Sequence, residues 1–136
     1  MPKEKSEKFS VFIIDDDAFL LDMYALKFSQ KNFVVETASG TLLALEKLRG
    51  GYTPDIMVVD LVMPSMDGFE FLETARTEGL APNALIIILS NLGQQEDIDR
   101  GLALGAAGYI IKASATPSEV VEKVLSTIES RQKKSK

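Results

Sequence analysis

The chain of 136 residues contains no cysteine and no histidine. Without cysteine it can form neither a disulfide framework nor a thiolate metal site. Without histidine it has no imidazole for catalysis or metal binding, and it cannot carry a phosphohistidine. Long apolar runs are also missing, since the longest, Ala84–Leu89, is far too short to span a bilayer. The N-terminal stretch MPKEKSEK lacks an apolar signal region, and we therefore predict a cytoplasmic location.

Positive charge is scarce in the body of the chain. The formal charge is −5, but residues 131–136 carry +4 and residues 1–8 carry +1, which leaves −10 on residues 9–130. Such an acidic body is a poor general partner for nucleic acid or an anionic membrane. With 46% hydrophobic residues, the chain can fill one core. We predict one domain over 9–130, a flexible N-terminal tail (1–8) and a basic C-terminal tail (131–136).

Apolar runs alternate with helical patterns along the sequence. Five short, mostly β-branched segments are predicted strands: 11–15, 33–37, 55–60, 84–89 and 108–111. Helical spacing or helix start and stop signals mark five further segments: 17–31, 41–49, 67–78, 94–104 and 117–131. This alternation predicts an α/β domain in which one five-stranded parallel sheet lies between two layers of helices. Most strands lack polar alternation, which is typical of strands covered on both faces.

Polar side chains follow four of the five predicted strands. The first strand ends in Asp15 and is followed by Asp16, Asp60 ends the third, Ser90 follows the fourth and Lys112 follows the fifth. All strands of a parallel sheet end at the same edge, where ligands bind in open α/β folds. Each group alone is more often a helix cap or a solvated side chain. Together they predict a functional site at this edge of the sheet.

This set of groups suggests phosphoryl transfer assisted by Mg²⁺. Two like charges about 4 Å apart repel by roughly 4 kcal/mol at an effective dielectric of 20, so clustered carboxylates favour a cation between them. Mg²⁺ prefers oxygen ligands and one or two carboxylates. Asp15 and Asp16 form the natural metal pair, and Asp60, which stands alone at a strand end, is the predicted nucleophile. Asp17 is more simply explained as a helix N-cap.

The motifs FIIDDD, PDIMVVDLVMPSMDGFEFL, IIILSN and GAAGYIIKA resemble those of response regulator receiver domains. The resemblance extends over about residues 9–130 and is most specific around Asp60. It implies a flavodoxin-like sheet of order 2-1-3-4-5 with five helices, in a single-domain protein similar to chemotaxis regulators. It also implies that Asp60 accepts a phosphoryl group from a histidine kinase or phosphotransfer protein.

Further roles follow from the same resemblance. Asp16, Asp60 and the backbone carbonyl of Val62 would ligate Mg²⁺ directly, and Asp15 would hold it through water. Lys112 and Ser90 would bind the phosphoryl oxygens.

Tyr109 would be the aromatic switch that turns inward as Ser90 moves. The switch would alter the surface formed by the fourth helix, fifth strand and fifth helix for a protein partner. The resemblance leaves open whether the protein is a monomer or dimerises weakly on phosphorylation, and no cofactor other than Mg²⁺ is expected.

The sequence departs from the family pattern after Lys112 and after Ser90, and Val62 and Leu92 are apolar where other members often have polar groups. Ala113 follows Lys112 where the family usually has a proline with a cis bond, and the sequence leaves open whether this bond is cis or trans. Asn91 stands where a small residue is common, which predicts narrower access to Asp60. In the first helix, Leu20, Met23, Tyr24 and Phe28 form the predicted apolar face. Phe19 and Leu21 lie off it, either packed at the helix edge or forming an apolar docking spot.

Two other functions are possible on the residues alone. An Asp-nucleophile phosphohydrolase of the haloacid dehalogenase type would need Asp, a second Asp two residues later, then Thr or Val. DDDAF places Phe19 last, and Val62 stands two residues after Asp60. The second possibility is a phosphorylation-independent binding module on the same fold, against which the full set of acidic residues and lysine argues. We expect a signalling domain that is not an enzyme.

Overall fold

The computed structural model describes residues 8–134 and side chains up to Arg131. The elements are β1 (Ser10–Ile14), α1 (Ala18–Gln30), β2 (Val34–Ala38), α2 (Thr41–Arg49), β3 (Ile56–Val59), α3 (Gly68–Thr77), β4 (Leu85–Ser90), α4 (Gln95–Ala103), β5 (Gly108–Ile111), a 3₁₀ turn (Lys112–Ser114) and α5 (Pro117–Lys134). All strand pairs are parallel, and the order is β2-β1-β3-β4-β5. The predicted fold class and strand order are confirmed.

Two apolar layers hold the helices against the sheet. Alternate residues of the central strands point to opposite faces, so Val11 and Ile13 join one layer and Phe12 and Ile14 the other. The first layer contains the buried residues of α1 and α5, and the second contains those of α2 and α3. The strands β1 and β3 are therefore buried on both sides, as their unbroken apolar runs predicted. The strand β2 differs because it lies at the sheet edge, where Val34 is 55% exposed.

The helix α1 presents a different face to the core from the one predicted. Its buried residues are Leu21, Tyr24 and Phe28, whereas Leu20 is only partly buried. The expectation that Leu21 lies off the apolar face is wrong, because Leu21 is 6% exposed. Phe19 is 72% exposed at the start of the helix. The helix begins after Asp17, whose side chain accepts the Leu20 N–H, so the predicted N-cap is confirmed.

The two predicted tails lie partly outside the described residues. These exclude residues 1–7 of the N-terminal tail and residues 135–136 of the C-terminal tail. The helix α5 continues to Lys134, so residues 131–134 are helical where the sequence predicted a tail. The 3₁₀ turn after β5 was not predicted, and it follows directly on the strand that carries the candidate lysine.

Candidate functional site

Three carboxylates meet at the carboxyl edge of β1 and β3. Asp15, Asp16 and Asp60 each offer an oxygen, and these oxygens all lie within 4.8 Å of one another. Asp15 and Asp60 are buried, at 2% and 5% exposure, whereas Asp16 is exposed. The register places Ile14 beside Val59, so the next residues of both strands emerge together at the edge. The sequence prediction that these three residues converge is confirmed.

The glycine after Asp67 allows α3 to start next to this cluster. A Cβ at Gly68 would lie 2.3 Å from the Asp60 carbonyl oxygen and 2.7 Å from the Leu61 Cα. Since both neighbours are backbone atoms, no side chain could be accommodated there without moving the Asp60 strand end. Asp67 caps the helix through the Glu70 N–H, and the buried Gly68 sets the close approach.

Lys112 inserts its ammonium group between two of the carboxylates. Its Nζ lies 2.7 Å from Asp15 Oδ2 and 2.9 Å from Asp60 Oδ2, and its side chain is 9% exposed. Burial opposes the charge of this ammonium, but the hydrogen bonds that it donates to Asp15 and Asp60 outweigh burial and raise the pKa of Lys112 above its ordinary value. In this structure the lysine therefore offsets the carboxylate repulsion that the sequence assigned to a metal ion alone.

The two buried carboxylates also accept backbone hydrogen bonds. The Asp17 N–H donates to Asp15 Oδ1 at 2.9 Å, and the Val62 N–H donates to Asp60 Oδ1 at 3.2 Å. Burial raises the pKa of Asp15, and the bonds from Lys112 and from the Asp17 amide act in the opposite direction. Each of the two carboxylates thus has one oxygen on a backbone amide and the other on Lys112.

Ser90 and Tyr109 lie on the neighbouring strands β4 and β5. Ser90 is fully buried at the end of β4, and its Oγ accepts the Leu92 N–H at 3.4 Å. The Tyr109 hydroxyl donates to the Leu92 carbonyl oxygen, so one loop residue connects to both side chains. The Tyr109 ring also lies against α4, because a Cβ on Gly101 would be 3.4 Å from its Cδ2 and Cε2 atoms. The structure therefore links the predicted switch residue to the loop after Ser90.

The described residues contain no cis peptide bond, so the Lys112–Ala113 bond, whose isomer the sequence left open, is trans.

The sequence did not predict two contacts that support the site. The Ala113 N–H donates to Asn91 Oδ1 at 2.8 Å. The buried Thr41 Oγ1 donates to the Met66 carbonyl at 2.6 Å and so holds the loop after β3 from the side of α2. No sequence signal pointed to Thr41, whereas Asn91 stood out only as a departure from the family pattern that predicted narrower access to Asp60.

Comparisons with known proteins agree with this architecture. The family model described as "Response regulator receiver domain" matches residues 11–125. The chain therefore belongs to the response regulator receiver domain family, a family of signalling modules in two-component systems that are typically not enzymes. The acidic site is typical of the family and is consistent with a phosphorylation-activated switch.

Individual relatives differ in length. The chain is 30% identical over 108 residues to the chemotaxis protein CheY of Halobacterium salinarum, covering 79% of this chain and 88% of that protein. It is 31% identical over 124 residues to the alkaline phosphatase synthesis transcriptional regulatory protein SphR of Synechococcus elongatus, covering 85% of this chain. The chain spans only 48% of the length of SphR.

Solved structures show the same fold. A CheY-like receiver domain protein from Methanospirillum hungatei superimposes with a TM-score of 0.83 at 25% identity, covering 94% of this chain and 99% of that one. The chemotaxis response regulator CheY4 of Vibrio cholerae gives 0.79 at 28% identity, covering 90% and 99%. Among the described residues, no helix combines the length and the apolar character needed to cross a membrane.

Proposed function

We propose that residues 9–130 form a phosphorylation-activated switch in which Asp60 accepts a phosphoryl group from the phosphohistidine of a kinase or phosphotransfer protein. The observation that carries this proposal is the cluster of Asp15, Asp16 and Asp60, with Lys112 Nζ ion-paired to both Asp15 and Asp60. Since residues 1–136 contain no histidine, the phosphohistidine must lie outside this sequence.

The donor set fits a magnesium ion. Three carboxylate oxygens within 4.8 Å of one another match the hard oxygen ligands that Mg²⁺ takes. Asp16, Asp60 and the Val62 carbonyl would hold the ion directly, and Asp15 would hold it through water. When bound, the ion would offset negative charge on the incoming phosphoryl group. The exposed position of Asp16 leaves this side of the cluster open to solvent.

Asp60 then acts as the nucleophile. One carboxylate oxygen forms a bond to phosphorus while the bond from phosphorus to the donor's imidazole nitrogen breaks, and its electron pair stays on the imidazole. Lys112 already contacts Asp60, so its ammonium can bind a phosphoryl oxygen after a small movement. Ser90, buried at the adjacent strand end, would supply a hydroxyl donor on the other side.

Phosphorylation would be sensed by a protein partner at the surface that α4, β5 and α5 form. Movement of Ser90 toward the phosphoryl group would disturb the Leu92 loop, which holds the Tyr109 hydroxyl. Since the Tyr109 ring lies against α4 at Gly101, a change in the ring would change the outer surface of α4. A protein partner that recognises this surface would then bind one state better than the other.

Incubation with Mg²⁺ and acetyl phosphate, followed by intact mass measurement, tests the proposal. We expect a gain of one phosphate in the wild type and none in Asp60→Asn. The control is Asp55→Asn, because Asp55 lies just before β3, at the opposite end of that strand. A folded wild type that gains no phosphate, or an Asp60→Asn variant that still gains one, would contradict the proposal. Sustained turnover of a generic phosphomonoester would instead favour the phosphohydrolase alternative.

A further inference from the structure

A single side chain connects the loop after β4 to the turn after β5. The pairing of these strands ends with Ser90 opposite Ile111. Beyond that pair, Asn91 Oδ1 accepts the Ala113 N–H at 2.8 Å. The bond therefore joins the residue that follows the buried serine to the residue that follows the site lysine. These two residues are 22 positions apart in the chain.

The Ala113 amide needs an acceptor from outside its own turn. Ala113 is the second residue of the 3₁₀ turn Lys112–Ser114, and amides in a first turn have no partner within the helix. The turn's own bond runs from the Ala115 N–H to the Lys112 carbonyl at 3.4 Å, which is long. A turn of three residues with one long internal bond is held weakly, so the Asn91 carboxamide fixes its first peptide.

That first peptide is the one that carries Lys112. The lysine side chain must place its ammonium within 2.7 Å of Asp15 and 2.9 Å of Asp60 at the end of a flexible stem. A shift of the backbone at its root moves the ammonium relative to both carboxylates. Displacements of about 1 Å in a positioning element can reduce rates markedly.

We propose that Asn91 is a positioning residue for Lys112, acting through the Ala113 amide, in the phosphorylation of Asp60. This inference rests on the proposed function. Asn91 and Ala113 are both exposed, so loss of their hydrogen bond should change the free energy of unfolding only slightly. A role in positioning is therefore separable from a general role in stability.

The rate of phosphorylation by acetyl phosphate in Mg²⁺ tests this role. We expect Asn91→Ala to slow the reaction about 2- to 10-fold, which is the worth of one net hydrogen bond. The affinity for Mg²⁺ alone should stay within 2-fold, because Asn91 is not among the proposed metal ligands. The matched control is Asn83→Ala, which removes an exposed asparagine from the loop before β4 and should leave the rate unchanged.

Nuclear magnetic resonance provides a readout that does not depend on phosphorylation. In Asn91→Ala the Ala113 amide should exchange faster with solvent, and the Lys112 ammonium signal should shift or broaden. Asn91→Asp keeps an oxygen acceptor and should retain the slow exchange of the Ala113 amide. Its added charge makes its phosphorylation rate a poor comparison, so this variant serves only the spectroscopic measurement.

The outcomes separate this inference from the proposed function. If the wild type is phosphorylated and Asn91→Ala reacts equally fast with an unchanged Lys112 signal, the positioning role is wrong. A parallel loss of Mg²⁺ affinity and thermal stability in Asn91→Ala would mean general disorder at the site, which also overturns it. If the wild type gains no phosphate, the proposed function fails, and an unchanged Lys112 signal in Asn91→Ala would still overturn the positioning.

Discussion

The helices α4 and α5 follow the neighbouring strands β4 and β5, but they are held to the sheet by different means. The helix α5 buries four aliphatic residues in the core: Val120, Val121, Val124 and Ile128. The one buried residue of α4 is Gly101, which has no side chain to bury. Burial of apolar area stabilises by about 25 cal/mol per Å², so α5 is anchored far more strongly.

Polar contacts at the surface hold α4 instead. The Arg100 guanidinium lies 4.2 Å from the centroid of the Phe69 ring and 3.9 Å from Glu73 Oε1. From α3, Arg76 Nη1 donates to the Ala103 carbonyl at 3.3 Å. Exposed contacts of this kind contribute little individually. We therefore expect α4, which lies next to Tyr109, to change position at a lower energetic cost than α5.

The largest expected effect comes from truncating a core residue of α5. Val124→Ala should lower the free energy of unfolding by about 2 kcal/mol, because Val124 is fully buried and its lost methyl groups leave a cavity. Urea denaturation measures this change. Ser126→Ala, on the exposed face of the same helix, should stay within about 0.5 kcal/mol of the wild type. Equal losses in both variants would refute the view of α5 as the apolar anchor.

A methyl group added to α4 should have the next largest effect. A Cβ at Gly101 would lie 2.4 Å from Ile88 Cδ1. Overpacking should outweigh the gain of about 1 kcal/mol in helix propensity, so Gly101→Ala should lose about 1 to 2 kcal/mol.

The partner substitution Ile88→Val removes the contacting Cδ1 atom and should partly restore the stability of Gly101→Ala. The loss in the double variant should therefore be smaller than the sum of the two single losses. Strict additivity in urea denaturation would show that α4 does not rest on Ile88 at this point.

Loss of the Tyr109 hydroxyl should loosen the loop before α4. Tyr109→Phe removes the bond to the Leu92 carbonyl and should cost about 1 kcal/mol at neutral pH. Burial, together with Asp97 and Asp60, raises the pKa of Tyr109 above 10.0. A raised folded-state pKa means that this stabilisation is complete below the unfolded value and is lost as pH rises through the folded value.

The stability gap between wild type and Tyr109→Phe should therefore narrow above about pH 10. Denaturation of both proteins at a series of pH values measures the gap, and Tyr109→Phe serves as its own control for all other titrating groups. A gap that widens at high pH would contradict the direction of the pKa shift.

The smallest effect is expected for the contact between Arg100 and Phe69. Arg100→Gln should lower the free energy of unfolding by about 0.5 kcal/mol. Amide hydrogen exchange should become faster in α4 and stay unchanged in α5. Arg49→Gln removes the exposed pair between Arg49, at the end of α2, and Glu78, the C-cap of α3, and should leave exchange in α4 unchanged. Uniform acceleration in both helices would argue against a locally held α4.

Much of the fold and the members of the candidate site could be predicted because they follow from local pattern and topology. Unbroken apolar runs identified β1 and β3, and parallel strands necessarily bring Asp15, Asp16 and Asp60 to one edge. The buried face of α1 was harder to predict, because Leu20 and Leu21 are adjacent and both apolar. Only the packing of α1 on the sheet decides that Leu21 is buried.

The order of the elements, the shared edge of the strands and the chemistry of the residues at that edge follow from the sequence alone. The contacts of Lys112 with Asp15 and Asp60, and the hydrogen bond from the Ala113 amide to Asn91, depend on the tertiary structure. These features differ in how far apart in the sequence the interacting residues lie. Helix periodicity and strand runs depend on near neighbours, whereas an ion pair or a close packing contact depends on where distant backbone segments come to lie.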